Sequence, residues 1–182
     1  MNAIELMVDE HKNIKKMLQV IRKACNVILQ TGEVRYDDFE TIVDFIRNYA
    51  DGHHHHKEEI LLFNRMMENL GPVADKTIRH GMLVEHDLGR LYVKNLDEAL
   101  KKAKEGNDEA KLDIIANAIS YTDLLNRHID KEDNVIYKFA QRELSADIMN
   151  LVDSECSGYE VENDDTRKKY LSVVKSLEKK YL

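Results

Sequence analysis

The chain has 182 residues, of which 34% are charged, with one proline, seven glycines, no tryptophan and a net charge of −7. That length suits a single domain with a real core. The acidic balance argues against a phosphate-binding face, and hence against nucleic acid as a partner. No apolar run approaches the ~20 residues needed to cross a bilayer, so no membrane partner is expected. The N-terminus, "MNAIELMVDEHKN", carries acids where a signal peptide would place basic residues before an apolar block, and the expectation is a cytoplasmic protein. Cys25 and Cys156 lie far apart without CxxC spacing. This excludes a disulfide framework and a thiolate metal site.

Four long amphipathic segments follow one another. The first runs from Ala3 to Leu29, before Thr31 and Gly32. The second runs from Asp37, a candidate cap, to Leu70, where Gly71 and Pro72 stop it. The third covers Val73 to Lys104, and the fourth begins near Asp108 and reaches Arg142. Beyond Ser145 the chain is more polar, and "SECSGYEVENDD" reads as a loop between two shorter helices. Short connections between long helices imply antiparallel neighbours. The expected fold is therefore all-α: an up-down-up-down four-helix bundle over residues 1–143, with a helical extension over 144–182 packed on or beside it.

Histidines interrupt the apolar seams of these helices. Ile4, Met7, His11, Ile14, Leu18, Ile21, Cys25 and Ile28 form the first seam, and Met82, His86, Gly89, Val93, Leu96 and Leu100 form the third. In the fourth, Ile115, Ala118, Thr122, Leu125, Ile129, Glu132 and Ile136 put a glutamate on the seam. His128 stands four residues before it, offset by only ~40° about the axis. Inward imidazoles on three helices, together with a buried carboxylate, are costly unless they satisfy one another or bind a metal.

Four of the eight histidines, His53 to His56, form one run in "GHHHHKEEILLF". An internal repeat orders it. His54-x-x-x-Glu58-Glu59-x-x-Leu62-Phe63 matches His128-x-x-x-Glu132-Asp133-x-x-Ile136-Tyr137. Two helices thus each supply a His and a carboxylate one turn apart, the way bundles build dinuclear sites. Imidazole and carboxylate without sulfur suit iron or manganese. The register His55/Glu59 competes with His54/Glu58, because consecutive residues cover every side of a helix. Lys57 and Lys131, at matched positions, read as solvated surface charges. Tyr49, Tyr92 and Tyr121 read as core or rim aromatics, with a donor to a metal-bound ligand among them as the lesser alternative.

These motifs resemble the hemerythrin-like (HHE cation-binding) family, over about residues 4 to 142. The resemblance rests on His11, "HHHKEEILLF", "MLVEHDLGR" and "HIDKEDNVIY". It implies a four-helix bundle holding two non-haem iron ions with an oxo or hydroxo bridge, manganese or zinc being substitutes. By position it implies His11, His54, His86 and His128 as terminal ligands, with Glu58 and Glu132 as bridges. It further implies a small diatomic ligand, dioxygen or nitric oxide, and leaves the identity of any protein partner open. The oxygen carriers have a fifth histidine where this chain has Met82, and their fourth-helix carboxylate would fall on Asp133, which stays the alternative to Glu132. His80, six residues before His86, reads as a surface residue. Four His and two Glu resemble more closely the proteins linked to iron–sulfur cluster repair and nitric oxide stress. The expected role is small-ligand binding for sensing or for oxidative or nitrosative stress. The alternative is a di-iron enzyme that reduces peroxide or nitric oxide, or one that repairs clusters or donates iron. No catalytic residue is assigned.

Overall fold

The computed structural model describes the whole chain, residues 1–182, and its regular structure is entirely helical. Six helices follow in order. α1 is Ala3–Thr31, and Asn2 caps it. The Asn2 side chain accepts from the Glu5 amide at 2.8 Å, and the Glu5 carboxylate accepts from the Asn2 amide at 3.1 Å. This reciprocal pattern satisfies two amides that the first turn leaves free. Gly32 ends the helix with φ 70°, the left-handed conformation that glycine adopts without steric cost.

α2 spans 36–69 and changes its winding along the way. Tyr36–Phe45 and Asn64–Asn69 are α-helical, whereas Ile46–His55 and Lys57–Phe63 are wound as π-helix. Asp37 lies in the first turn and is not the cap expected of it, because the cap position falls on Arg35, which makes no capping bond. α3 spans 71–104, with a π-turn at Ile78–Met82, and α4 spans 110–143, with another at Glu132–Ile136. α5 is Ala146–Glu162 and α6 is Asp164–Tyr181. The segment read as a loop is therefore helical as far as Glu162. Val152 and Cys156, one turn apart, are buried and hold α5 in place.

α3 packs along α4, while α1 packs against α4 and α6. α5 lies over Lys57–Phe63, and α6 closes over α1 and α2. The apolar interior is split in two. One cluster gathers Ile14, Phe39, Leu96, Leu125 and Val174, and the other gathers Met7, Leu62, Met82, Ile136 and Cys156. Between them each bundle helix passes through a belt of buried polar side chains, including Glu10, His11, His54, Glu58, His86, His128 and Glu132. The fourth-helix seam differs by one position, as Ile114 is buried and Ile115 only half-buried.

Candidate metal centre

The belt holds all six side chains singled out by the sequence. His11 comes from α1, His54 and Glu58 from α2, His86 from α3, and His128 and Glu132 from α4; none is more than 1% exposed. His54 Nε2 lies 3.5 Å from Glu58 Oε2, and His86 Nε2 lies 3.7 Å from the same oxygen. Glu132 spans the space in the same way. Its Oε2 is 3.4 Å from His11 Nε2, and its Oε1 is 2.9 Å from His128 Nε2 and 3.8 Å from His86 Nε2. Two groups result, His11–His54–Glu58–Glu132 and His55–Glu58–His86–His128, each with one ligand atom per residue within 4.8 Å of the others. Glu58 belongs to both groups, and Glu132 reaches into both.

His55 is the addition. It is buried, and its ring stacks on that of His86 at 3.8 Å and 7°. A π-turn rotates less per residue than an α-turn, so His54 and His55 both face inward, and π-turns recur at functional sites. The choice between the two registers is thereby dissolved for the histidines. It is not for the acids, because Glu59 and Asp133 stand behind the imidazoles. His86 Nδ1 meets Glu59 at 2.6 Å, and His11 Nδ1 meets Asp133 at 2.7 Å. The other three rings follow the same rule: His54 Nδ1 meets Glu10 at 2.8 Å, His55 Nδ1 meets Asp51 at 3.2 Å, and His128 Nδ1 meets Glu85 at 2.8 Å. An Nδ1–H held by a carboxylate leaves the Nε2 lone pair free, and that arrangement orients imidazole toward a metal.

The electrostatics also ask for a cation. Glu58 Oε2 and both oxygens of Glu132 are buried without a hydrogen-bond partner. Burial and the Glu132 charge raise Glu58 well above the usual carboxylate range. Glu132, which burial would also raise, is instead held well below it by His128 and the other imidazoles. Burial opposes charge on His11 and His128, but the carboxylates outweigh it, raising His11 to about 9 and His128 to about 10. Burial and the His11 charge push His54 down to about 4. The thiols take no part. Burial raises Cys25 to about 11 and Cys156 to about 12, and both are free. A buried imidazole and carboxylate set of this kind fits a hard or borderline divalent metal.

Several neighbours differ from expectation. Tyr49 and Tyr121 are core aromatics and Tyr92 lies at the core's rim, as expected, but the phenol at the cluster is Tyr137, which the sequence did not single out. Its hydroxyl donates to Glu58 Oε1 and lies 3.5 Å from His11 Nε2. Lys57 is fully buried rather than solvated, because Glu10 and Glu160 neutralise it inside the fold. Lys131 is the exposed charge expected, paired with Glu85. His53 is buried, His56 stacks on Tyr159 at the surface, and His80 is exposed. A pocket of about 170 Å³ opens between α2 and α3, its wall including His55, His86, Arg90 and Tyr121.

Loss of a carboxylate behind a ligand typically costs 10–100-fold in metal affinity. Asp133→Asn is therefore expected to weaken metal binding about 10–100-fold while leaving the stoichiometry unchanged. Competition against a chelator measures it, and a native affinity would remove Asp133 from the role of orienting His11.

No helix is long and apolar enough to cross a membrane. Comparison with the curated proteins and with the solved structures gave no match. A family model does match, the hemerythrin HHE cation binding domain, over residues 2–140. It covers all four bundle helices except the last residues of α4, and with them every histidine and carboxylate described above apart from Glu160. The chain belongs to the hemerythrin HHE cation-binding family.

Proposed function

We propose that the protein is a non-haem di-iron protein that takes a small ligand, dioxygen, nitric oxide or peroxide, in sensing or in defence against oxidative or nitrosative stress. The observation that carries this reading is the set of five imidazoles, each backed by its own carboxylate, whose Nε2 atoms converge on Glu58 and Glu132. His11 and His54 would hold one iron and His55, His86 and His128 the other, with Glu58 and Glu132 bridging. Such a pair of ions supplies Lewis acidity and one-electron redox chemistry when bound.

The set is lopsided. The side of His55 has three imidazoles and two carboxylates, whereas the side of His11 has two and two. With His55 as a ligand, Met82 would not leave both metals open, because His55 would stand in for the missing fifth histidine. A metal on the side of His11 would have the fewer protein donors, and the Tyr137 hydroxyl lies on that side. Tyr137 holds Glu58 Oε1 and can turn its proton toward a ligand bound there. Enzymatic reduction of peroxide or nitric oxide would use the same open side, and turnover assays with each separate the two readings.

Metal analysis tests the proposal. After anaerobic loading the protein should carry about two irons per chain, as di-iron bundles do, and azide should perturb the absorption bands of the oxidised form. One zinc per chain, or no metal, overturns it. Tyr137→Phe should retain both irons and weaken azide by about 5-fold, the equivalent of the ~1 kcal/mol of one hydrogen bond. An unchanged azide affinity would place the phenol outside the ligand's reach.

A further inference from the structure

α5 lies beyond the matched family region, yet one of its side chains joins the charges behind a ligand. The fully buried Lys57 ammonium donates to Glu10 of α1 and to Glu160 of α5, and stands 3.1 Å from His53 Nε2. His53 Nε2 is in turn 3.2 Å from Glu10 Oε1 and 2.9 Å from Glu160 Oε1. Glu10, His53 and Glu160 have the donors of a cation site, and the Lys57 ammonium is the cation that they hold. The second oxygen of Glu10 accepts from His54 Nδ1 at 2.8 Å. A continuous path thus runs from Glu160 through Lys57 and Glu10 to His54.

The internal repeat contains a partial copy of this path. Lys131, three residues after His128 as Lys57 is after His54, donates to Glu85, the carboxylate behind His128. That copy lies in water, where the Lys131 side chain is 47% exposed and its charge is screened. The Lys57 copy is dry, so its charge acts at low dielectric. A buried lysine with Glu10 as its sole partner would draw the Glu10 charge toward itself and away from His54. Glu160 shares the lysine and leaves Glu10 a strong acceptor for the His54 Nδ1–H, which in turn makes His54 a stronger electron donor.

We propose that Glu160 and Lys57 are positioning residues for His54, through which α5 sets the electron affinity of the metal on the His11–His54 side. The inference rests on the metal-centre reading, and its experiment has one arm that does not need metal. In the metal-free protein, the imidazole Nδ1–H resonance of His54 should move upfield in Glu160→Gln, while that of His11, held by Asp133, should stay. In the iron-loaded protein, Glu160→Gln removes a negative charge and weakens the hydrogen bond, so the midpoint potential should rise. Lys57→Met does the opposite, and the potential should fall. The double variant, with the native net charge, should return near the native potential, and Lys131→Met should shift it least. If the His54 resonance is native in Glu160→Gln, or if both single variants shift the potential in the same direction as a packing defect would, the inference is overturned. A native protein that takes up no iron defeats the metal reading, and the resonance arm still decides the positioning. If Lys57→Met does not fold, Glu160→Gln decides alone, since its side chain is 15% exposed and reaches water.

Discussion

Stripping the bound metal should lower the melting temperature by about 8–16 °C. Ions that bind only the native state add about 4 kcal/mol at 1,000 times Kd. For a chain of this length, each kcal/mol corresponds to about 2–4 °C. The structural cause is the polar belt between the two apolar clusters. There Glu58 and Glu132 share one buried space, and their inward oxygens have no hydrogen-bond partner. Burial and the Glu132 charge raise Glu58 well above the usual carboxylate range, so ionising both carboxylates is costly, and a cation between them removes that cost. Calorimetry with and without a chelator reads the difference. Glu132→Gln supplies the control. A neutral carboxamide has the same shape but cannot bridge two metals, so the variant should lose most of its metal and melt at one temperature in both conditions. A native protein whose melting temperature ignores the chelator would mean that the belt is stable without a cation.

The bundle was legible because its seams obey the α-helical period. His11, His86 and Glu132 fall on those seams, His128 stands one turn before Glu132 on the same face, and the repeat added His54 and Glu58. What the period could not show lies where the period fails. α2 is wound as π-helix through most of the His run, and a seam counted in α-turns cannot predict that His54 and His55 share an interior. The carboxylates behind the rings were hidden for another reason. Glu10, Asp51, Glu59, Glu85 and Asp133 sit beside seam positions in polar stretches, where a charge facing an imidazole and a charge facing water look alike. Lys57 was misread on the same ground. Its burial depends on Glu160, more than a hundred positions away, which no local pattern reports. Tyr137 had a clue in the repeat, where it stands opposite Phe63 and differs from it by the one hydroxyl that now reaches Glu58.

His55→Ala should open a second coordination position and raise azide binding from about one to about two per centre, because open positions are where exogenous ligands bind. On the di-iron reading the side of His55 would have five protein donors, which with a bridging oxygen would leave no room, while the side of His11 would have four. The pocket between α2 and α3 has His55 and His86 in its wall and so lies on the side that His55 would close. Removing the imidazole joins that pocket to the metal. Azide should therefore bind not only in greater number but also faster, since the native open position faces the buried Tyr137 hydroxyl and no such pocket. Metal affinity on the same side should fall by more than the 10–100-fold expected for loss of an outer carboxylate, so the measurement needs iron in excess. Azide titration followed optically gives the stoichiometry, and stopped-flow mixing gives the rate. If the variant, with both irons demonstrably retained, still binds one azide at the native rate, then His55 is not a ligand. The centre would then be open on both metals, as the four-histidine count from the sequence implies, and the stacking of His55 on His86 would be packing alone.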